Sequence, residues 1–111
     1  MTVEQSDVID IVSIDPAGCV VLTISDHLDW SDTASHLLIL QTKLNRYLAF
    51  VESGEIVESY PGAKGKKVAL TVAFKFKPDP IGEGFLVKAK QIVEHAGIQF
   101  RYEVFAVSYD N

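Results

Sequence analysis

The segment Lys67-Val68-Ala69-Leu70-Thr71-Val72-Ala73-Phe74-Lys75-Phe76-Lys77 decides the fold. Val68, Leu70, Val72, Phe74 and Phe76 fall on one side of an extended chain. Lys67, Ala69, Thr71, Ala73, Lys75 and Lys77 fall on the other. Side chains alternate across a strand, so a strict period of two with one apolar row is a strand lying on a core. One apolar face also means a sheet covered on one side only. Pro78 and Pro80 have no N–H to give to a ladder and end the strand.

Downstream, a helix is expected from Ile81 or Gly82 to Ala96, with Phe85, Leu86, Ala89, Ile92 and Val93 inward. Gly97 stands where a left-handed cap belongs. A last strand, Ile98 to Val107, places Phe100, Tyr102 and Val104 on one face and Arg101, Glu103, Phe105 and Val107 on the other.

Upstream, Glu55 to Tyr60 reads as a short helical turn closed by Pro61-Gly62. Before it, a helix runs from Ser31 or Asp32, either of which can cap its first turn, to Ser53. Leu37, Leu40, Leu44, Leu48 and Val51 recur at three- and four-residue steps, with Leu38 and Ile39 widening that stripe. Gln41, Thr42, Lys43, Asn45 and Arg46 are expected outside, and Gly54 is the expected cap. The chain opens with strands Asp7 to Ile14 and Cys19 to Ser25, joined by the turn Asp15-Pro16-Ala17-Gly18 as a hairpin.

The order is ββαβαβ, an α+β two-layer sandwich with a four-stranded mixed sheet and two helices on one face. The third and fourth strands, joined by one helix, should be parallel with a right-handed crossover. The relation of the second and third strands stays open, and the pattern does not set the strand order.

At 111 residues the chain fits one domain, 1–111, and its 48% hydrophobic content builds a core without staples. Folding at this size should bury roughly 60–70% of the unfolded surface. No apolar run is long enough to span a bilayer. The start, Met1 to Asp7, is acidic and lacks the basic and apolar regions of a signal peptide. The single Cys19 excludes an internal disulfide framework, so a cytoplasmic protein without a resident cofactor is expected.

Residues 1–30 carry six acids and no Lys or Arg, whereas 64–77 carry five lysines and no acid. A net charge of −5 argues against nucleic-acid binding, which depends on phosphate neutralisation. The lysines read as the wet flank of a strand, where they discourage edge pairing.

The densest run of functional side chains is Asp26-His27-Leu28-Asp29-Trp30-Ser31-Asp32, with His36 one turn into the helix. It joins a strand end to a helix start, the place where α/β sheets favour ligands. Two imidazoles and several carboxylates have the donor types of a zinc site, yet no paired-histidine zinc helix is present and no metal is expected. Capping and dipole complementation also account for acids at this position. Trp30 reads as a lid over the helix. Asp26, His27, Asp29, Trp30 and His36, with Tyr60 closing over them, form the candidate ligand or partner site.

Catalytic signatures are absent. Cys19 has no activating neighbour in the sequence, no Gly-x-Ser-x-Gly elbow occurs, and Gly62 to Lys67 precedes a strand where a phosphate loop would follow one. His95 near a helix end complements the dipole and needs no further role.

Val3 to Asp10, Leu22 to Trp30, and Gly54 through Tyr60-Pro61 to Lys64-Gly65 together resemble a family of short bacterial proteins of unknown function. The resemblance covers nearly the whole chain, with Ser25 to Trp30 its most specific part. It implies a single domain and brings no activity, substrate or cofactor.

Two functions follow as expectations. The first is a non-enzymatic interaction module whose uncovered sheet face, with Val21, Ala69, Thr71, Ala73, Phe105 and Val107, pairs two copies or meets a protein partner. The second is a small enzyme or ligand- or metal-binding protein that uses the Asp26 to His36 region.

Overall fold

The computed structural model describes residues 11–104, and the side chain of Ile11 is not among the atoms described. In chain order it has β1 (Ile11–Ile14), β2 (Val20–Asp26), α1 (Thr33–Glu52), α2 (Glu55–Ser59), a 3-10 turn (Pro61–Ala63), β3 (Val68–Phe74), α3 (Pro80–His95) and β4 (Gln99–Val104). The expected start of the first strand and end of the last lie outside the described residues. No helix among those described is long and apolar enough to cross a membrane.

Asp15 to Gly18 turns β1 back on β2. Gly18 N–H donates to Asp15 O at 2.9 Å, and the Asp15 carboxylate accepts from the N–H groups of Ala17 and Cys19. Gly18 has φ +88°, a conformation that a side chain disfavours. β1 and β2 are antiparallel, Ile14 opposite Val20.

β2 and β3 are parallel, with Leu22 beside Leu70 and Ile24 beside Val72, which answers the relation left open above. β3 and β4 are parallel as expected. The sheet is mixed and its order is β1-β2-β3-β4.

The apolar row of β3 faces the helices. Leu22, Ile24, Leu70, Val72 and Phe74 are wholly buried against Leu40, Leu44 and Tyr47 of α1 and Leu86, Ala89 and Val93 of α3. Burial of one such aliphatic or aromatic side chain stabilises the fold by about 1.5–3 kcal/mol. β3 is shorter than expected. It stops at Phe74, and Phe76 is exposed beyond it.

The α1 stripe is rotated from the expected one. His36, Lys43, Tyr47 and Phe50 join Leu40 and Leu44 inside, while Leu38 is 65% exposed. Lys43 was expected outside, yet it is fully buried, its long apolar stem lying within the layer. On α3, Leu86, Ala89 and Val93 face inward and Phe85 packs at the margin, but Ile92 is 64% exposed. Ile92 follows Ala89 by three positions and Val93 follows it by four, and the helix turns Val93 to the core.

Both long helices are capped by aspartate. Asp32 accepts from Ser35 N–H at 3.2 Å, and Asp79 accepts from Gly82 N–H at 2.7 Å, with Pro80 at the first helical position.

Candidate functional site

Asp26 ends β2 on the helix side of the sheet, and its 1% exposure makes it a buried carboxyl group. Its backbone carbonyl accepts from Lys75 N–H at 2.8 Å, while Oδ1 accepts from Leu28 N–H at 3.1 Å in a local turn. The second oxygen, Oδ2, lies 2.6 Å from Nε2 of His36.

His36 is one turn into α1 and is also buried. Its Nδ1 lies 2.9 Å from the carbonyl oxygen of Asp29. A carbonyl only accepts, so Nδ1 carries a hydrogen, and one proton occupies the bond between Nε2 and Oδ2. Burial pushes the Asp26 carboxyl above its ordinary range, and the His36 hydrogen bond opposes that push.

Trp30 closes the pair off. Its ring stacks on the imidazole with 3.8 Å between centroids and 26° between planes. The indole N–H donates to Phe76 O at 3.1 Å, which takes this carbonyl for a side chain where a longer β3 would have used it in a ladder. The far edge of the ring meets α3 at Gly82. A Cβ there would lie 2.9 Å from Cη2 and Cζ3 of Trp30, inside any tolerable contact.

Thr33 Oγ1 donates to the carboxylate of Asp79, tying the start of α1 to the cap of α3. This hydroxyl, with Gly82 N–H, holds the Asp79 carboxyl below its ordinary range. Asp29 is held low in the same way by the hydroxyl and N–H of Ser31.

Of the expected site residues, Asp26, Asp29, Trp30 and His36 therefore converge at the carboxyl ends of β2 and β3. His27 is exposed on the outer lip. There a hollow of about 370 Å³ is bounded by His27, Asp29, Asp32 and Phe76, and the buried His36 borders its floor. Tyr60 does not close over this group. It lies at the other end of β2, in a hollow with Val12, Ile14 and Val20.

Thr33, Asp79 and Gly82 were missed. Asp79-Pro80 followed by Gly82 is a cap signature, and a glycine in a first helical turn marks a close approach. Among the described residues, no three His, Cys, Asp or Glu side chains are grouped to hold a metal ion.

A third hollow, of about 750 Å³, lies at the β4 side of the sheet. Thr71, Ala73 and Glu103 line it from the face away from the core, and Leu86, Val87 and Tyr102 from the helix side.

A model for a family of unknown function matches residues 1–106, essentially the whole described fold and site. The chain belongs to that family, DUF6572. No curated protein and no solved structure matches this DUF6572 chain.

Proposed function

We propose that the DUF6572 chain is a non-enzymatic protein-interaction module that binds through the open side of its sheet. The observation that carries this reading is the 750 Å³ hollow, bordered by Thr71 and Ala73 at the middle of the sheet and reached by no helix from that face among the described residues. Ala69 and Ala73 on this face are already buried, so a partner meets it at the half-buried Val21, Thr23 and Thr71 and the exposed Arg101 and Glu103 that also line the hollow.

The Asp26–His36 region supports an enzyme or metal-binding reading less well. Both imidazole nitrogens already face protein acceptors, and Trp30 lies over the ring. A general base must reach its substrate proton, and a ligand nitrogen must be open. This group instead joins β2, α1, β3 and α3. A bacterial, cytoplasmic setting belongs to the same proposal and rests on the family resemblance and the lone Cys19.

Native mass spectrometry of the untagged chain, beside Thr71→Arg, tests the proposal. The expected result is a mass above the monomer that Thr71→Arg removes while circular dichroism and melting stay as in the parent. A monomer with no bound protein at every concentration would overturn it.

A further inference from the structure

Among the described residues the sheet has an unpaired margin at β4 as well as a face. β4 pairs with β3 alone among the described residues and stands last in the sheet order. The hollow is lined from both faces of the sheet, so it wraps this margin. Val87, Tyr102 and Val104 beside it are 60%, 43% and 38% exposed, a high share for large apolar side chains on one edge. An open edge with apolar side chains is a template for another strand.

The charges on β4 say which strand. Arg101 and Glu103 flank Tyr102 and share the face away from the core, because alternate residues share a face. If a second β4 runs antiparallel with Tyr102 opposite the partner's Tyr102, Arg101 stands opposite the partner's Glu103. By the same symmetry, Glu103 stands opposite the partner's Arg101, and Phe100 opposite the partner's Val104. Both charged pairs are attractive. Centring the pairing on Arg101 or on Glu103 instead would set like charges face to face, which is unfavourable. A twofold interface needs this self-complementarity.

We propose that two copies of this chain join their sheets by antiparallel β4–β4 pairing centred on Tyr102. This rests on the interaction reading above, sets the contact at the β4 margin of the same hollow, and names its partner as a second copy.

Sedimentation equilibrium on the full chain tests it. Arg101→Glu and Glu103→Arg each turn two attractive pairs into repulsive ones, so each should raise the dimer Kd about tenfold or more. The double reversal restores opposite signs and should return the Kd to near the parent value. Both positions are exposed, so the fold should tolerate the changes.

Tyr102→Cys in a Cys19→Ala background should form an intermolecular disulfide under mild oxidation, since opposed residues place their Cβ atoms about 5 Å apart. A dimer indifferent to both reversals, with no Tyr102→Cys cross-link, would overturn this pairing and leave the interaction reading standing. A monomer carrying a different protein would do the same. A monomer that binds nothing would overturn both.

Discussion

The indole of Trp30 lies on the imidazole of His36, and the same indole forbids a side chain at Gly82 on α3. One ring thus sets the spacing of α1 and α3 at the carboxyl end of the sheet. Beneath it, the buried Asp26–His36 contact ties the end of β2 to the first turns of α1. Strand ends and helix starts are where backbone groups lose their regular partners, and this cluster supplies replacements for several of them.

Asp26→Asn should be nearly neutral to stability, and Asp26→Ala should not. The asparagine oxygen can still accept from Leu28 N–H, and its NH₂ can donate to Nε2 of a neutral His36 whose Nδ1–H remains on Asp29 O. Alanine leaves a buried ring nitrogen and a backbone N–H without that partner. Urea unfolding at neutral pH should show less than about 1 kcal/mol lost for the asparagine variant and about 2–4 kcal/mol for the alanine variant. Equal losses would show that the hydrogen-bonding pattern is not what Asp26 contributes.

The acids of this cluster should give opposite slopes against pH. Asp26 has its folded pKa raised above 3.8, so its neutral form is favoured in the fold. Its stabilising contribution is present below 3.8 and is lost as pH rises through the folded value. Asp79 is lowered, so its contribution is present above 3.8 and is lost as pH falls through its folded value. Relative to the parent, Asp26→Asn should therefore gain stability as pH rises from 3.8, while the deficit of Asp79→Asn should shrink below it. Melting temperatures across an acid series check both signs.

Stacking energy can be isolated with Trp30→Leu, His36→Asn and the double variant, followed by circular dichroism because Trp30 is the only tryptophan. Their coupling should be about 0.5–1.5 kcal/mol, the range of a stacked aromatic pair. Strict additivity would mean that Trp30 acts through Phe74, Phe76 O and Gly82 and not through the imidazole.

What was legible in the sequence follows from which forces are local. The period of two in Val68 to Phe74 reads directly as a strand because the alternation is a property of the backbone itself. Gly54 and Gly97, with φ of +86° and +85°, likewise report helix ends wherever the chain is read. Lys43 and Leu38 do not work that way. Which row of α1 turns inward depends on how His36 and Trp30 pin its first turn, and that contact joins residues from separate elements. The register of the row then carries Tyr47 and Phe50 inside and leaves Leu38 out. The candidate site was legible for the same reason in part. Asp26 to His36 is nearly contiguous, so its members could be named, but Asp79 and Gly82 arrive from a distant segment and complete it only in three dimensions. Tyr60 shows the converse, a residue placed near the site in expectation whose strand end lies across the sheet.

Two glycines of α3 should respond oppositely to the same substitution. Gly84→Ala adds a methyl group where no atom lies within 4 Å, so it should stabilise the helix by about 0.5–1 kcal/mol through reduced freedom of the unfolded chain. Gly82→Ala gains the same entropy term, but its Cβ meets Trp30 at 2.9 Å. The indole cannot simply yield, since its N–H is bonded to Phe76 O and its face rests on His36. Either Trp30 gives up those contacts or α3 moves from the sheet, and overpacking of this kind costs about 1–3 kcal/mol. Trp30 emission should shift in Gly82→Ala and stay unchanged in Gly84→Ala. If Gly82→Ala were as stable as its parent with an unshifted spectrum, the contact between this ring and α3 would be slack, and the clamp would end at His36.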